Sequence, residues 1–354
     1  MPKVLELFSG IGGMRAGLTE GFDPSVNLSF TSVDMNEFCN DVYYKSYGDK
    51  PLNRDICSIP LNWFEDLGAD IWTMSPPCQP YTRQGNQKDI LDDRAEPLTY
   101  LTNQILGKLH NVPKIIILEN VKNFEISDSY NRLVQVLHQR GYKMRGFLLN
   151  PLYMGFPNSR LRFFLIASLS NDSFPPNESP RVNIQTNDPI QCPDFDQLPS
   201  TNTIGVRRIG EFLCRSHRLG DFLVPKKLLE KKAAFCFDIV SSESTQCVCF
   251  TRAYTKYIDG TGSVLLTEVA EQASGMDEKF RPVFSGIESM AELYGKLRYF
   301  CPAEAARLNG FKVGKISGGL SFPPDCSGGK QFCRAVGNSL NPNVVAYLVR
   351  HHLE

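Results

Sequence analysis

The chain has 354 residues with 38 Lys and Arg against 38 Asp and Glu, so its formal net charge is zero. A nucleic-acid partner would therefore need a local basic patch, because no global field attracts one. An apolar share of 42% and a charged share of 21% fit a folded globular protein, and no apolar run reaches the roughly 18 residues of a membrane span, so no membrane partner is expected.

That length allows one large domain with an insertion, or two domains. The opening MPKVLELFSG lacks signal-peptide architecture and enters a strand pattern within a few residues. Eleven scattered cysteines, an odd number, suggest an intracellular protein with reduced thiols. Cys247 and Cys249 form a C-x-C pair without a second pair at zinc spacing, so no metal is expected.

In chain order, residues 4–8 read as a strand, followed by the glycine-rich turn 9–13 and a helix over 14–20. A second strand, 30–33, ends in Asp34 and precedes a helix over 37–47. The run 71–74 is a buried strand that must stop at Pro76 and Pro77, since neither donates a ladder hydrogen bond. The chain is thereby stiffened where Cys78 appears. A helix is predicted over 98–110. The aliphatic run 115–118 is a strand ending in Glu119 and Asn120, then come a helix over 130–140 and a strand over 163–166. Short apolar strands alternating with helices predict an α/β fold: a mostly parallel sheet covered on both faces. Right-handed crossovers place the strand carboxyl ends on one edge.

From 171 to 203 six prolines and little periodicity predict an irregular connector. The stretch 207–232 holds eight Lys or Arg against three acids, which fits either a solvated helical surface or a phosphate-facing one. Helix periodicity returns at 303–308 and 341–350.

Several residues carry chemistry. Glycines in FSGIGG (8–13) let a ligand approach the backbone, although a plain tight turn also explains them. Asp34 lies where an acid bonds ribose hydroxyls, and Asp55 suits an adenine amino group. Together they suggest an adenosine-containing cofactor. Glu119 at the end of an apolar strand is either a surface acid or a desolvated proton carrier. Arg160 and Arg162, two apart, point to one face as surface cations or as a donor fork for a base carbonyl or phosphate. Cys78, Glu119, the glycine turn and Asp34 should all meet at the sheet's carboxyl edge.

In this order the chain resembles the cytosine-5 methyltransferases that use S-adenosylmethionine, which share a Rossmann-like fold. FSGIGG is similar to their first motif, SPPCQPYT (75–82) to the nucleophile motif, ENV (119–121) to the carboxylate motif and NSRLR (158–162) to the arginine motif. LRYFCPAEAARLNGF (297–311) and VGNSLNPNVV (336–345) resemble the last two. CFTRAYTKYIDGTGSVL (249–265) resembles the eukaryotic tRNA-aspartate methyltransferases, once grouped with DNA methyltransferases. Asn158 stands where the broader family has Gln, and that subfamily is similar in this respect.

The resemblance implies a catalytic domain over 1–174, a smaller target-recognition domain over 175–300 that includes the connector, and a segment 301–354 returning to the catalytic domain. It implies that Cys78 adds to C6 of cytosine, Glu119 protonates N3, Arg162 steadies O2 and Arg160 supports it or the thiolate. The methyl donor would lie along Phe8, Gly10, Ile11, Gly12, Gly13, Asp34, Met35, Asp55, Ile56 and Pro77, closed by Asn338 and Ser339. Cys249, Phe250, Thr251, Tyr254 and Tyr257 would contact substrate. The implied target is cytosine 38 of tRNA-Asp; a monomer is expected, with DNA a weaker partner than tRNA and the cytoplasm, then the nucleus, as its location. Other readings are a DNA methyltransferase with the same chemistry, a catalytically idle nucleic-acid binder, and a nicotinamide-dependent oxidoreductase. The last gives no reason for Cys78 or Glu119.

Overall fold

The apolar runs of the first half become one six-stranded sheet in a computed structural model that describes residues 1–81, 89–170, 205–214, 219–267, 273–314, 319–321 and 329–353. The strands are β1 (Lys3–Leu7), β2 (Ser29–Val33), β3 (Ile71–Met74), β4 (Ile115–Val121), β5 (Lys143–Leu149) and, after a two-residue β6 (Asn158–Ser159), β7 (Arg162–Ser168). Their spatial order is β2-β1-β3-β4-β7-β5. The first four are parallel, whereas β7 runs antiparallel to both β4 and β5. Val121 at the end of β4 therefore pairs with Arg162 at the start of β7. One strand's beginning and another's end share the same edge.

Helices α1 (Gly13–Gly21), α2 (Glu37–Tyr47), α3 (Leu61–Leu67), α4 (Glu96–Tyr100) and α5 (Asp128–Gln139) connect these strands. The Asn36 side chain accepts the Cys39 N–H and Gly48 closes α2 in the left-handed region, so the chain carries both stop signals. The helix predicted over 98–110 is instead α4 followed by a wide π-type turn over Leu101–Leu106.

The recognition region builds a separate three-stranded sheet from β8 (Ile239–Val240), β10 (Val264–Leu266) and β13 (Leu297–Tyr299). It also holds α6 (Lys226–Leu229), β9 (Cys247–Val248), which pairs with β6, and the hairpin β11 (Ala273–Met276) with β12 (Pro282–Phe284). The predicted connector and its boundary near 175 lie outside the described residues.

Three helices follow: α7 (Pro302–Leu308), α8 (Gly329–Asn338) and α9 (Pro342–His352). Of these, α9 packs into the core of the catalytic sheet. A Cβ on Gly17 of α1 would lie 2.4 Å from Val345 Cβ of α9, so that glycine allows the two helices to touch. In contrast, Leu308 of α7 and Val336 of α8 join the core that holds Phe250 and Tyr254. The expected segment 301–354 thus joins two cores, because α7 and α8 pack with the recognition residues in a core that also takes Ile11, Cys39 and Val42 of the catalytic part, where Phe332 of α8 meets Phe38 of α2 edge to face. Among the described residues no helix is long and apolar enough to cross a membrane.

Candidate active site

The crevice lies at the carboxyl edge of β1 to β4. Cys78 follows β3 after buried Pro76 and half-buried Pro77. The Tyr81 amide donates to the Cys78 carbonyl at 3.0 Å. From the neighbouring strand, Asn120 Nδ2 donates to the Pro76 carbonyl at 3.4 Å. The cysteine loop is therefore held from within and from β4.

Glu119 is inside β4 rather than beyond its end, because pairing with β7 continues to Val121. Its carboxylate has a loose ion pair with Arg162 Nε at 3.5 Å. Burial raises its pKa, and the charges of Arg162 and Arg160 only partly oppose this. Burial likewise raises the Cys78 thiol, followed by the charge of Glu119, while both arginines pull it down. Cys78, Glu119 and the two guanidinium groups thus share one electrostatic environment.

The arginines differ in role. Arg160 is buried and donates to Cys249 Sγ at 3.0 Å, the Phe250 carbonyl at 3.1 Å and the Gly337 carbonyl at 3.2 Å. It clamps β7 to the recognition region and α8, and its backbone partners make it a positioning residue. Arg162 faces Glu119 and also donates to Cys249 Sγ at 3.7 Å. Burial opposes ionisation of Cys249, yet the two guanidinium groups outweigh it and hold the thiol below its usual range.

At the other end of the crevice, Phe8, Gly10 and Gly12 have φ of 57°, 52° and 83°. The Gly10 amide donates to Asp34 Oδ2 at 2.8 Å, and the Asn36 amide to Asp34 Oδ1 at 2.8 Å. Asp34 therefore fixes the glycine turn, and burial raises its pKa. Asp55 accepts the Cys57 amide at 3.1 Å and caps the turn that buries Ile56. Met35 is 72% exposed at the crevice rim. Ile11 is core, and a Cβ on Gly13 would lie 2.9 Å from Ser339 Oγ. That contact brings the C-terminal motif to the turn, with Asn338 exposed beside it.

Two expected substrate contacts are corrected. Phe250 and Tyr254 are each only 2% exposed. Their rings pack edge-to-face on each other, and the Tyr254 hydroxyl donates to the Ser263 carbonyl and accepts the Phe300 amide. Both are core residues of the recognition region. The Thr251 backbone is pressed against Gly337, where a Cβ would meet it at 2.4 Å. Tyr257 is 57% exposed. The C-x-C pair divides: Cys247 is sealed in the core while Cys249 meets the arginines. Of the basic stretch, Arg207 stacks on Phe156 and Phe212, Arg208 pairs with Glu243, and Lys226, Lys227, Lys231 and Lys232 are exposed. Residues 215 and 218 lie outside the described residues.

Glu6 escaped sequence reasoning. It is buried in β1 behind the glycine turn and accepts the Tyr43 hydroxyl at 2.7 Å, the Ser32 hydroxyl at 3.3 Å and the Arg15 amide at 3.1 Å. Burial pushes its pKa up to about 7. A charged residue inside VLELF was the available signal.

A mixed sheet bearing a glycine turn, a following acid and a thiol at the carboxyl edge of its four parallel strands defines a class: α/β proteins that bind a nucleoside cofactor at that edge. The chain belongs to the C-5 cytosine-specific DNA methylase family, whose profile matches residues 2–354. A human tRNA (cytosine(38)-C(5))-methyltransferase is 34% identical, with 98% of each chain covered. A Dictyostelium discoideum DNA (cytosine-5)-methyltransferase is 33% identical over 98% of this chain and 93% of its own. The solved Entamoeba histolytica methyltransferase EhMeth superposes with a TM-score of 0.78 at 28% identity, covering 100% of this chain and 98% of that one.

The family's methyl donor, S-adenosylmethionine, fits the residues present. Gly10 faces open space, where an added Cβ would meet nothing within 4 Å. The buried Ser9 hydroxyl has no hydrogen-bond partner among the described residues. The exposed Met35 thioether offers apolar surface beside Asp34.

Proposed function

We propose that the protein methylates C5 of cytosine in RNA, with cytosine 38 in the anticodon loop of tRNA-Asp as its target. The observation that carries the reading is the arrangement of Cys78, Glu119 and Arg162 at adjoining strand ends, with Glu119 paired to Arg162 at 3.5 Å. The human relative's named activity supports the choice of tRNA. An unpaired loop nucleotide also costs less to present to such a pocket than a stacked duplex base.

Cytosine C5 is a poor nucleophile. Attack of the Cys78 thiolate on C6 turns C5 into an enamine-like carbon. Glu119, whose pKa burial raises against the pull of Arg162 and Arg160, gives a proton to N3 as C6 is attacked and hydrogen-bonds the exocyclic amine. Arg162 steadies O2, while Arg160 holds the wall that carries it. The double proline limits the motion of Cys78 and favours the attack geometry. Phe8, Gly10 to Gly13, Asp34, Met35, Asp55, Ile56, Pro77, Asn338 and Ser339 would hold S-adenosylmethionine, which supplies an electrophilic methyl group for C5. Water then takes the C5 proton, Cys78 Sγ leaves as thiolate and N3 returns its proton to Glu119, which frees the product.

A second reading, methylation of DNA, draws on the Dictyostelium relative. Incubation with labelled S-adenosylmethionine and either tRNA or duplex DNA separates the two. We expect transfer to tRNA, mapping to position 38 and abolished by Cys78→Ala. Faster transfer to DNA would overturn the choice of substrate, and full activity of Cys78→Ala would overturn the nucleophile.

A further inference from the structure

A second meeting of sulfurs lies away from the crevice, where the recognition region joins the C-terminal helices. Cys214 follows the turn Ile209–Phe212, and Cys301 is the N-cap of α7. Their Sγ atoms are 3.7 Å apart, with the Cys301 thiol donating to Cys214. Arg307 Nη1, further along α7, donates to Cys214 Sγ at 3.0 Å. Cys301 is fully buried, whereas Cys214 is half-buried. An oxidant therefore reaches Cys214 first.

We propose that Cys214 and Cys301 form a reversible redox site, with Cys214 the attacking thiolate and Cys301 the resolving thiol, closed to a disulfide by hydroperoxides. Cys214 Sγ attacks the terminal peroxide oxygen and the O–O bond breaks, leaving a sulfenic acid and a hydroxide (an alkoxide from an organic hydroperoxide) that takes a proton from solvent and leaves as water or alcohol. Cys301 Sγ then displaces the hydroxyl from that sulfur. The S–S bond forms, the S–O bond breaks, and the departing hydroxide takes the Cys301 proton and leaves as water. Two electrons pass from the sulfurs to the peroxide, and a thiol reductant reverses the bond by exchange.

The surroundings suit this division of labour. The hydrogen bond from Cys301, aided by Arg307 against the opposing effect of burial, draws the Cys214 pKa down to about 6. The hydrogen bond to Cys214 and burial hold Cys301 well above its usual range, which leaves Cys214 the more readily ionised sulfur of the pair. Bond formation requires the sulfurs to approach by about 1.7 Å. The resulting bond would join positions 87 residues apart and pin the recognition region to α7.

Cys214, Cys301 and Glu304 also lie close enough to suggest a metal site. Glu304 is already engaged, however. Its oxygens accept Arg298 Nη1 at 2.7 Å and Nη2 at 2.9 Å, the Cys214 amide at 2.9 Å and the Cys301 amide at 3.0 Å. With Arg307 on the Cys214 sulfur as well, a divalent cation would have to displace two guanidinium groups.

The test treats the full chain with a small excess of hydrogen peroxide, blocks free thiols with iodoacetamide and maps peptides by mass spectrometry. A Cys214–Cys301 linked peptide should dominate and disappear with dithiothreitol. In Cys301→Ser, a conservative change at an N-cap where serine is favoured, Cys214 should persist as a sulfenic acid trapped by dimedone. Arg307→Gln should slow alkylation of Cys214 several-fold near neutral pH. Both cysteines remaining alkylatable, oxidation confined to Cys78 or Cys249, or stoichiometric zinc in the purified protein would each overturn the proposal.

Discussion

Two buried carboxyl groups in neighbouring parts of the sheet face opposite fates. Glu6, behind the glycine turn, accepts from Tyr43, Ser32 and the Arg15 amide. Glu119, at the crevice, accepts no hydrogen bond among the described residues and has only the 3.5 Å ion pair with Arg162. Burial raises both pKa values. The difference lies in spare capacity: an acid whose oxygens are already bonded holds a fold together, whereas one left open is free to meet a ligand. The aromatic residues of the recognition region divide the same way, Phe250 and Tyr254 inward and Tyr257 outward.

Glu119→Gln should break that contrast most severely. Methyl transfer to tRNA should fall by roughly 10²–10³-fold with the melting temperature unchanged, since a general acid contributes about that much. Burial raises the carboxyl's pKa, so in the parent the gain that ionisation of Cys78 brings as pH rises should be cut off by a loss of activity once pH passes that raised value. The Gln variant should lack that dependence, and single-turnover rates across pH would show it. A variant as fast as the parent would remove Glu119 from the chemistry.

Phe250→Ala should cost about 3 kcal/mol of stability through the cavity it leaves. Urea denaturation measures this, and a loss under about 1 kcal/mol would contradict its core assignment. For Glu6, the folded carboxyl titrates near 7 against an ordinary 4.5. The unfolded chain ionises first, so this group's contribution is greatest below 4.5 and is lost as pH rises to about 7. Glu6→Gln should therefore match the parent in acid yet exceed it by roughly 1–3 kcal/mol near pH 8. Equal denaturation midpoints at both pH values would argue against a strained acid there. The smallest effect should come from Tyr257→Ala: stability within about 0.5 kcal/mol of the parent and KM for tRNA raised about fivefold. A large loss of stability would place Tyr257 among the packed rings.

Much of the sheet was legible because its central strands are buried on both faces and read as continuous apolar runs. The same rule hid β5: KMRGFLL mixes charge and glycine because an edge strand is only partly covered. Cys78 was legible from local stiffness, and the arginines from their two-residue spacing. Their separate tasks were not, since Arg160's partners lie 89, 90 and 177 residues away. Phe250 and Tyr254 misled for a related reason. An aromatic ring has the same sequence signature in a core as on a stacking platform, and only the tertiary neighbours distinguish them.

The clamp made by Arg160 has a temporal meaning for a protein emerging from a ribosome. Its guanidinium group ties the start of β7 to the Phe250 and Gly337 carbonyls, so one wall must wait until residue 337 has been synthesised. The nascent chain can form its glycine turn early, but the arginine wall opposite Glu119 closes only after translation has passed position 337. A ribosome-bound intermediate should therefore be inert until α8 has emerged.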